Sequence, residues 1–363
     1  MKKKIAVIGL KGIPAFGGAA TVGENLVNEL KEYYDFTVLS ISSHASKDDI
    51  EVNGVKQKVF KSIGKKGINT LTYYIKSLLY VLFNKFDIIH LHHSSVGFIT
   101  PILRLKYKVI VTFHGVFDDQ DPKFSRIQNK FIRFSQKMNV TFANEIISVS
   151  KPDQIFILEK YKREIKYIPN GINVDTNSIN IKNKDNFQLS FAAGRIYQIK
   201  GLHLVLKALN EINHSIPLVV AGDIDQVQEY KNEISKLSTN LNVNYLGLLK
   251  DKKKLFEIIQ NSTCFVFPSL TEAMSMMLLE AASLKTPIIA SDIPANKAIF
   301  SDSEVLFFKS EDYQDLKLKI KYAIDNPEKM KQKAESAYNK LLRDYNWGSI
   351  AQEYRIIIES LLN

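Results

Sequence analysis

The sequence predicts an α/β protein built from doubly wound parallel sheets. Short unbroken apolar runs such as "KIAVIGL" and "KVIVTFHG" alternate with longer helical patterns along the 363 residues. Unbroken rather than alternating apolar runs are typical of strands that are covered on both faces, as in parallel sheets. Repetition of strand and helix in this way favours a doubly wound arrangement.

The predicted strands fall into two groups. The first group is "KIAVIGL", "FTVLSIS", "FDIIHLHHS", "KVIVTFHG" and "EIISVS", and the second is "LSFAAGR", "PLVVAGD", "VNYLGLL", "CFVFPS" and "TPIIASD". Helices are predicted between them over Thr21–Tyr33, Thr70–Asn84, Leu202–Asn210 and Lys252–Gln260.

A polar stretch, "TNSINIKNKDNFQ", has the composition of a linker and places a domain junction near residues 170–187. Two such domains predict a cleft. Because ligands of open α/β sheets bind outside the carboxyl ends of the strands, the functional motifs are expected just after the strand runs.

Composition narrows the class of protein. No apolar run reaches the ~18 residues that span a bilayer, and the start of the chain does not have the pattern of a signal peptide. A single cysteine, Cys264, excludes an internal disulfide and a cysteine-based zinc cluster. We therefore expect a cytoplasmic protein.

The positive charge is concentrated in the first half of the chain. The net charge is +11, and residues 1–180 hold 26 Lys and Arg against 16 Asp and Glu, whereas residues 181–363 hold 23 against 22. This asymmetry indicates an anionic partner for the first half, or only a surface that keeps the protein soluble. No nucleic-acid-binding signature accompanies it, so a phosphorylated substrate or an anionic membrane surface is favoured over nucleic acid.

A glycine-rich loop follows the first predicted strand, in "GLKGIPAFGGAATVGENLVNEL". The strand is predicted to end at Gly9, and a helix to begin near Thr21. Gly17 and Gly18 would let a phosphate approach the backbone beside free N–H groups of the helix start. The spacing is not GxGxxG, which counts against a dinucleotide-binding dehydrogenase. A structural turn explains this loop equally well.

Two further groups follow strands of the second half. Arg195 and Lys200, in "AAGRIYQIKG", lie between a predicted strand end at Gly194 and a helix, where two cations would clamp a diphosphate. Glu272 and Glu280 bracket the apolar run of "TEAMSMMLLEA". Glu272 is predicted in the turn after the strand "CFVFPS", before or at the helix start, with Glu280 about two turns further on. On a straight helix eight residues turn about 80° past full turns, so both carboxylates would face roughly one side, where they suit sugar hydroxyls. The methionines between them are predicted to point inward as core residues.

The histidines do not by themselves indicate one kind of site. "HLHH", residues 90–93, resembles a metal site, but strand alternation predicts that His92 points away from its neighbours, and no acidic residues accompany it. We therefore expect no zinc. His114, in "VTFHG", ends a strand at the edge of the predicted cleft. It is either a buried structural residue or a ligand-contacting one.

Together these stretches resemble glycosyltransferase family 4, whose members are retaining enzymes of the GT-B fold. The resemblance covers nearly the whole chain, through "FHG", "ISVS", "IPNGIN", "GR…KG", "AGD", "FPSLTEAMSMMLLEA" and "YNWGSIAQEYRIII". The pair Glu272 and Glu280 matches the family pattern of two glutamates separated by seven residues. Departures from the family are Ala20, Ala273, Ser275 and Asn173 in place of a Glu, two glycines and an Asp.

The resemblance implies two Rossmann-like domains facing across a cleft. The acceptor-side domain would span residues 1–178, with a crossover helix over about 345–363, and the nucleotide-sugar domain would span 179–344. Arg195 and Lys200 would grip the donor diphosphate, Glu272 the donor sugar and Glu280 the ribose. Catalytic or donor contacts would also come from His114, Gly17, Gly18 and the amides of Ser275, Met276 and Met277.

The implied activity is metal-independent, retaining transfer of a hexose from a nucleotide-diphosphate sugar, with UDP expected and no cofactor. The expected acceptor is a lipid-linked or growing surface-polysaccharide intermediate, such as lipopolysaccharide or capsule. Lys61, Lys65 and Lys66 precede the amphipathic stretch "LTYYIKSLLYVLF", which suggests peripheral binding to the inner membrane face, or only a packed helix. The alternatives are a UDP-sugar epimerase and a non-catalytic nucleotide- or carbohydrate-binding protein.

Overall fold

The computed structural model describes residues 1–14, 18–45, 51–64, 66–117, 125–173, 187–212 and 216–363. Its backbone contacts divide the chain into two compact units. The first unit is Met1–Gly171 together with Trp347–Asn363, and the second is Ile172–Asn346. The predicted junction near residues 170–187 falls largely on 174–186, outside the described residues.

The first unit is a mainly parallel sheet flanked by helices. Its strands are β1 (Lys3–Lys11), β2 (Tyr34–Ile41), β3 (Glu51–Val52), β4 (Val55–Phe60), β5 (Ile88–His92), β6 (Lys108–Phe113), β7 (Glu145–Ser148) and β8 (Lys166–Tyr167). Among the described residues their order is β3-β4-β2-β1-β5-β6-β7-β8, and only the β3–β4 pair is antiparallel. Its helices are α1 (Gly18–Leu30), α2 (Lys66–Phe83), α3 (Thr100–Leu103), α4 (Arg126–Phe142), α5 (Lys151–Tyr161) and the C-terminal helix (Trp347–Leu362), with a 3₁₀ helix at Ser94–Ile99.

The C-terminal helix packs on α1 within the first unit. Its Tyr354 is buried, and the Tyr354 hydroxyl lies 3.5 Å from the Thr112 hydroxyl at the end of β6. The last sixteen residues of helix therefore help to build the carboxyl edge of the first sheet.

Gly9 shapes the carboxyl end of β1. The strand continues to Lys11, past the predicted end at Gly9, with an irregularity in its pairing with β2. Gly9 has φ 117°, and a Cβ there would overlap the carbonyl oxygen of His92. Only glycine permits this close approach of β1 to the end of β5.

The second unit is a parallel sheet in the order β11-β10-β9-β12-β13-β14. Its strands are β9 (Leu189–Arg195), β10 (Leu218–Asp223), β11 (Val243–Gly247), β12 (Cys264–Phe267), β13 (Ile288–Ser291) and β14 (Leu306–Phe308). Its helices are α6 (Leu202–Asn210), α7 (Gln228–Leu237), α8 (Lys252–Asn261), α9 (Met276–Ser283), α10 (Pro294–Ile299), α11 (Tyr313–Asp325) and α12 (Pro327–Asp344), with a 3₁₀ helix at Gln198–Lys200.

The predicted fold class is confirmed, since every predicted strand run forms a parallel strand of one of the two sheets. The β3–β4 hairpin was not predicted. Its strand "VKQKVF" has three polar residues in a row and therefore does not form an unbroken apolar run. Asn53 and Gly54 turn the hairpin with φ 51° and 79°, the left-handed pair that a tight Asn-Gly turn requires.

Candidate functional site

The carboxyl end of β9 carries the predicted diphosphate-binding cations. β9 ends at Arg195, and the 3₁₀ helix and Gly201 follow before α6 begins. Gly201 has φ 72°, and a Cβ there would overlap the carbonyl oxygen of Pro268. The Leu270 N–H donates to the Ile199 carbonyl at 2.8 Å. The loop after β12 is thereby pressed against the turn that carries Lys200.

This packing brings Lys200 and Glu272 together. The Lys200 Nζ lies 2.5 Å from the Glu272 Oε1, and the two side chains are 22% and 13% exposed. Such a shielded pair is much less screened by solvent than a surface ion pair. The cation predicted for the diphosphate and the carboxylate predicted for the sugar are therefore direct partners.

Glu272 and Glu280 are not on one helix. Glu272 lies in the loop four positions before α9, and Glu280 lies within α9. The predicted position of Glu272 in the turn after a strand is confirmed, but the straight-helix argument for a shared face was wrong, because that turn and not a helix sets the direction of Glu272. The methionines also differ from the prediction: Met274 is buried, whereas Met276 and Met277 are only partly buried.

Glu280 has a lysine partner of its own. Lys252, the first residue of α8, places its Nζ 3.1 Å from the Glu280 Oε1. The Glu280 side chain is 6% exposed, while that of Lys252 is 59% exposed. Burial raises the pKa of Glu280, and the Lys252 ammonium opposes that rise. The Lys252 ammonium thus favours the charged form of this buried carboxylate.

Both carboxylates keep an unused oxygen. Oε1 of Glu272 binds Lys200 and Oε1 of Glu280 binds Lys252. Neither Oε2 receives a hydrogen bond from any residue in the part of the chain that the structure describes. An ionised carboxylate accepts on both oxygens, so each Oε2 can take a hydroxyl donor from a ligand.

Arg195 and the start of α9 complete this group. Arg195 is exposed and makes no ion pair or side-chain hydrogen bond within the described ranges, although it lies in register with Asp223 of β10. Ser275 is the N-cap residue of α9 and provides no side-chain cap, so the first N–H groups of the helix, including those of Met276 and Met277, lack that partner. Uncapped helix N–H groups bind anions well.

The first unit gathers four histidines at the ends of β5 and β6. The His92 Nδ1 lies 3.0 Å from the His114 Nε2, and their rings stack with centroids 5.3 Å apart. His90 lies on the same strand face as His92, with ring centroids 4.2 Å apart. The prediction that His92 points away from its neighbours was wrong for His90, because residues i and i+2 of a strand share a face.

These histidines are neutral. Burial lowers the pKa of His90 to about 3, of His93 to about 4 and of His114 to about 3, and it lowers the pKa of His92 well below its usual value. Of the His92–His114 pair, one neutral ring must therefore donate and the other accept. The buried His92 Nε2 has no partner among the described residues. His114 itself is only partly buried, so it is the member open to a ligand.

Asp153 holds the loop that follows His114. Its Oδ2 accepts the Val116 N–H at 3.0 Å, and burial raises the pKa of Asp153 to about 6, against an ordinary 3.8. The negative form is therefore disfavoured in the folded protein.

We expect the Asp153→Asn variant to gain stability over the wild type as pH rises. Because folding raises the pKa of the Asp153 carboxyl, this group stabilises the folded protein fully at pH values below the unfolded pKa of 3.8. That stabilisation is lost as the pH rises through about 6. Asparagine can still accept the Val116 N–H but never charges. The difference in unfolding free energy should grow by roughly 1–3 kcal/mol between about pH 4 and about pH 7, measured by urea titration. An equal difference at both pH values would contradict this account.

The remaining predicted positions are as follows. Gly17 lies outside the described residues. Gly18 is the first residue of α1, and no described atom lies within 4 Å of a Cβ built on it.

No group of three or more His, Cys, Asp or Glu residues suited to a metal occurs among the described residues. Within those ranges, no helix is long and apolar enough to cross a membrane.

Sequence reasoning missed Lys252, Asp153 and the contact of His92 with His90 and His114. Lys252 starts a helix after the carboxyl end of β11, in "KDKKKLF", so the same rule that selected Lys200 would have selected it. The spacing of His90 and His92 places both on one strand face. Asp153 offered no comparable signal, because its partner is a backbone N–H 37 residues away.

Two family models match the chain. "Glycosyltransferase Family 4" matches residues 16–176, and "Glycosyl transferases group 1" matches residues 173–340. The O-antigen biosynthesis glycosyltransferase WclY of Escherichia coli is 25% identical over 294 residues, covering 72% of this chain and 81% of that protein.

Solved structures share the fold over the full length. Sucrose-phosphate synthase from Thermosynechococcus elongatus superposes with a TM-score of 0.84 at 18% identity, covering 99% of both chains. HepE of Anabaena in complex with UDP-glucose superposes with a TM-score of 0.79 at 16% identity, covering 99% of this chain and 100% of that one. With consecutive family models from residue 16 to residue 340 and a GT-B architecture, the chain belongs to glycosyltransferase family 4.

Proposed function

We propose that this glycosyltransferase moves a hexose from a nucleotide-diphosphate donor, with UDP as the nucleotide, to an acceptor with retention of anomeric configuration. One observation carries the proposal. Glu272 and Glu280 each bind a lysine through Oε1, and among the described residues their Oε2 atoms have no partner. The same sheet edge carries Arg195 at the end of β9 and the start of α9, which has no side-chain cap. Two hydroxyl acceptors and several anion-binding groups suit a sugar nucleotide.

The donor roles follow from this arrangement. Lys200 has three N–H donors and uses one for Glu272, so it can also bind a diphosphate oxygen while Glu272 accepts a sugar hydroxyl. Glu280 would accept ribose hydroxyls, with Lys252 holding its carboxylate. Arg195 and the amides of Ser275, Met276 and Met277 would bind the diphosphate or the sugar. Gly17 and Gly18 would let the diphosphate approach α1.

His114 is proposed to contact the transferred sugar. It is neutral and partly exposed, and its Nε2 is engaged by His92 at 3.0 Å. The ring orientation is therefore set, and the Nδ1 of His114 remains to accept or donate a hydrogen bond to a sugar hydroxyl. A neutral ring also avoids placing a positive charge beside the positive anomeric carbon.

The proposed reaction is same-face substitution. The bond between the anomeric carbon and the diphosphate oxygen breaks, and its electron pair stays on the diphosphate. The acceptor oxygen bonds to the anomeric carbon on the same face, and its proton goes to the departing diphosphate. Arg195, Lys200 and the α9 amides stabilise the growing negative charge, and we propose that they do so without a metal ion or other cofactor.

We propose a lipid-linked or growing surface-polysaccharide acceptor, of lipopolysaccharide or capsule, at the inner face of the membrane. The name of the relative WclY, an O-antigen biosynthesis glycosyltransferase, supports this class of acceptor. The excess of positive charge in residues 1–180 supports an anionic membrane as a partner. The single buried cysteine suits the reducing cytoplasm.

The test is a donor screen followed by product analysis. We expect one of the UDP-, GDP- or dTDP-hexoses, UDP first, to raise the melting temperature of the purified chain. Incubation with that donor and a lipid-linked acceptor should then yield a glycoside with the donor's anomeric configuration, read by NMR. Activity should persist in a metal chelator. An altered free nucleotide sugar would indicate an epimerase instead, and binding without turnover a non-catalytic protein.

A further inference from the structure

The solvent-facing side of α2 is apolar. Beyond Lys66, whose side chain lies outside the described ones, every exposed residue of this helix is apolar or glycine: Gly67, Ile68, Leu71, Ile75, Leu79 and Phe83. Ile68 is 64% exposed and Phe83 is 86% exposed. The spacings of three and four residues place these side chains along one stripe. Tyr73 and Tyr74 on the other side are buried in the core, so α2 presents apolar side chains both to the core and to solvent, which is typical of a helix whose outer stripe is also covered.

Helix α4 adds apolar side chains of the same kind. Ile127 is 81% exposed and Phe134 is 53% exposed, with Phe131 between them. A basic residue stands directly before each of these three apolar residues, and a fourth basic residue follows one turn later. The four are Arg126, Lys130, Arg133 and Lys137. Apolar and basic side chains therefore run side by side along the outer face of α4.

The two helices form one surface. The ring of Phe98, in the Ser94–Ile99 3₁₀ helix, lies 6.2 Å from the Tyr74 ring of α2 and 5.3 Å from the Phe131 ring of α4. At their starts the helices touch, since a Cβ on Gly67 would lie 3.2 Å from the Gln128 Nε2. We call this surface the α2–α4 face: Ile68, Leu71, Ile75, Leu79, Phe83, Ile127, Phe131 and Phe134.

The positive charge around the α2–α4 face indicates which kind of partner it binds. Neither helix contains Asp or Glu, and together they hold six Lys or Arg residues: Lys66, Lys76, Arg126, Lys130, Arg133 and Lys137. Three aspartates precede α4, within residues 118–124, outside the described ones. Two copies of the chain meeting through this face would oppose like charges, which costs several kcal/mol. An anionic lipid surface accepts both the apolar side chains and the positive charge.

We propose that the α2–α4 face docks on an anionic lipid bilayer, with its apolar side chains entering the boundary between headgroups and acyl chains. The face connects to the histidines: the Tyr74 hydroxyl lies 3.1 Å from the Ser95 hydroxyl, which lies 2.8 Å from the His93 Nδ1. The proposal rests on the proposed function only for its purpose, which is to bring the histidine edge to a membrane-borne acceptor.

The test is co-sedimentation of the full chain with vesicles of phosphatidylcholine, with and without phosphatidylglycerol, and with no donor or acceptor present. We expect binding to the anionic vesicles only, and release by high salt. The Ile68→Glu/Ile127→Glu variant should lose about tenfold or more in affinity, because two apolar anchors are replaced by charges. The matched control is Leu318→Glu/Ile356→Glu, whose positions are each 59% exposed on other helices. The control should bind like the wild type.

Three results would overturn the proposal. They are no binding of the wild type to anionic vesicles at low salt, an equal loss in the control variant, and a dimer in light scattering that Ile68→Glu/Ile127→Glu makes monomeric. Folding is checked by the melting temperature and by its shift with the nucleotide sugar, which depends on the second unit. In the wild type, a nucleotide-sugar shift without vesicle binding would reject the membrane proposal alone, and vesicle binding without glycoside formation would reject the proposed function alone.

Discussion

Replacing Lys200 with methionine is expected to lower kcat/KM for sugar transfer by on the order of 10²–10³-fold. The change removes a positive charge from the departing diphosphate. It also leaves Glu272, whose side chain is 13% exposed, without the ammonium 2.5 Å from its Oε1. Steady-state kinetics with the donor identified by the screen provides the measurement, and most of the loss should fall on kcat because the charge develops in the transition state.

Lys317→Met is the matched control. The Lys317 side chain is 20% exposed, close to the 22% of Lys200, and its Nζ lies 2.7 Å from the Glu211 Oε2. This control removes an equally shielded lysine from an ion pair for which no role in donor binding is proposed. Equal losses of kcat/KM in both variants would show that the loss of any shielded ion pair lowers activity, and that Lys200 has no specific role in donor binding. Full activity of Lys200→Met would reject its role.

Glu280→Gln is expected to weaken donor binding by roughly 10- to 100-fold, because hydrogen bonds to a charged group contribute about 1.5–3 kcal/mol each. Glutamine keeps the shape of the side chain but makes its carbonyl oxygen a weaker acceptor for ribose hydroxyls. The pKa of Glu280 is raised by burial, so a neutral side chain there should not reduce folding stability at neutral pH. Calorimetric titration with the free nucleoside diphosphate measures the effect without turnover.

Glu304→Gln is the control for this variant. Its side chain is 14% exposed and pairs with Lys340, and glutamine can still accept the Ser301 N–H that Glu304 now accepts at 2.6 Å. We expect unchanged nucleotide affinity in Glu304→Gln. An unchanged affinity in Glu280→Gln would remove Glu280 from the proposed ribose site.

Predictions about the fold succeeded where local pattern and burial agree. Strands covered on both faces are unbroken apolar runs, as β1, β6 and β12 show. Helix α6 was predicted at its observed bounds, Leu202–Asn210, and the proposed crossover helix begins at Trp347. Strands β3, β4, β8 and β14 escaped prediction. Three of them, β3, β8 and β14, have only two or three residues, and the apolar run of β4 is interrupted by three polar residues.

The roles of the site residues stay predictions, and the pairing of these residues was not predicted from the sequence. Arg195 ends β9, Lys200 lies in the turn after it, and Glu272 lies in the loop after β12, with Glu280 further along in α9. These positions on the chain already indicated a ligand-binding edge. That Lys200 binds Glu272 depends on the contact of Gly201 with Pro268 and the hydrogen bond from Leu270 to Ile199. Those contacts join segments about 70 residues apart along the chain, and no local pattern encodes them.

The amino-acid sequence by itself determined the two parallel sheets and which residues stand at their carboxyl ends, because strand burial and loop chemistry are written in local composition. Only the tertiary structure decided which charges neutralise each other, which carboxylate oxygens stay available and which ring holds His114. It also revealed that the outer stripe of α2 is apolar and joined to the basic face of α4. These properties arise from distant segments brought into contact, and their energies depend on burial that folding alone creates.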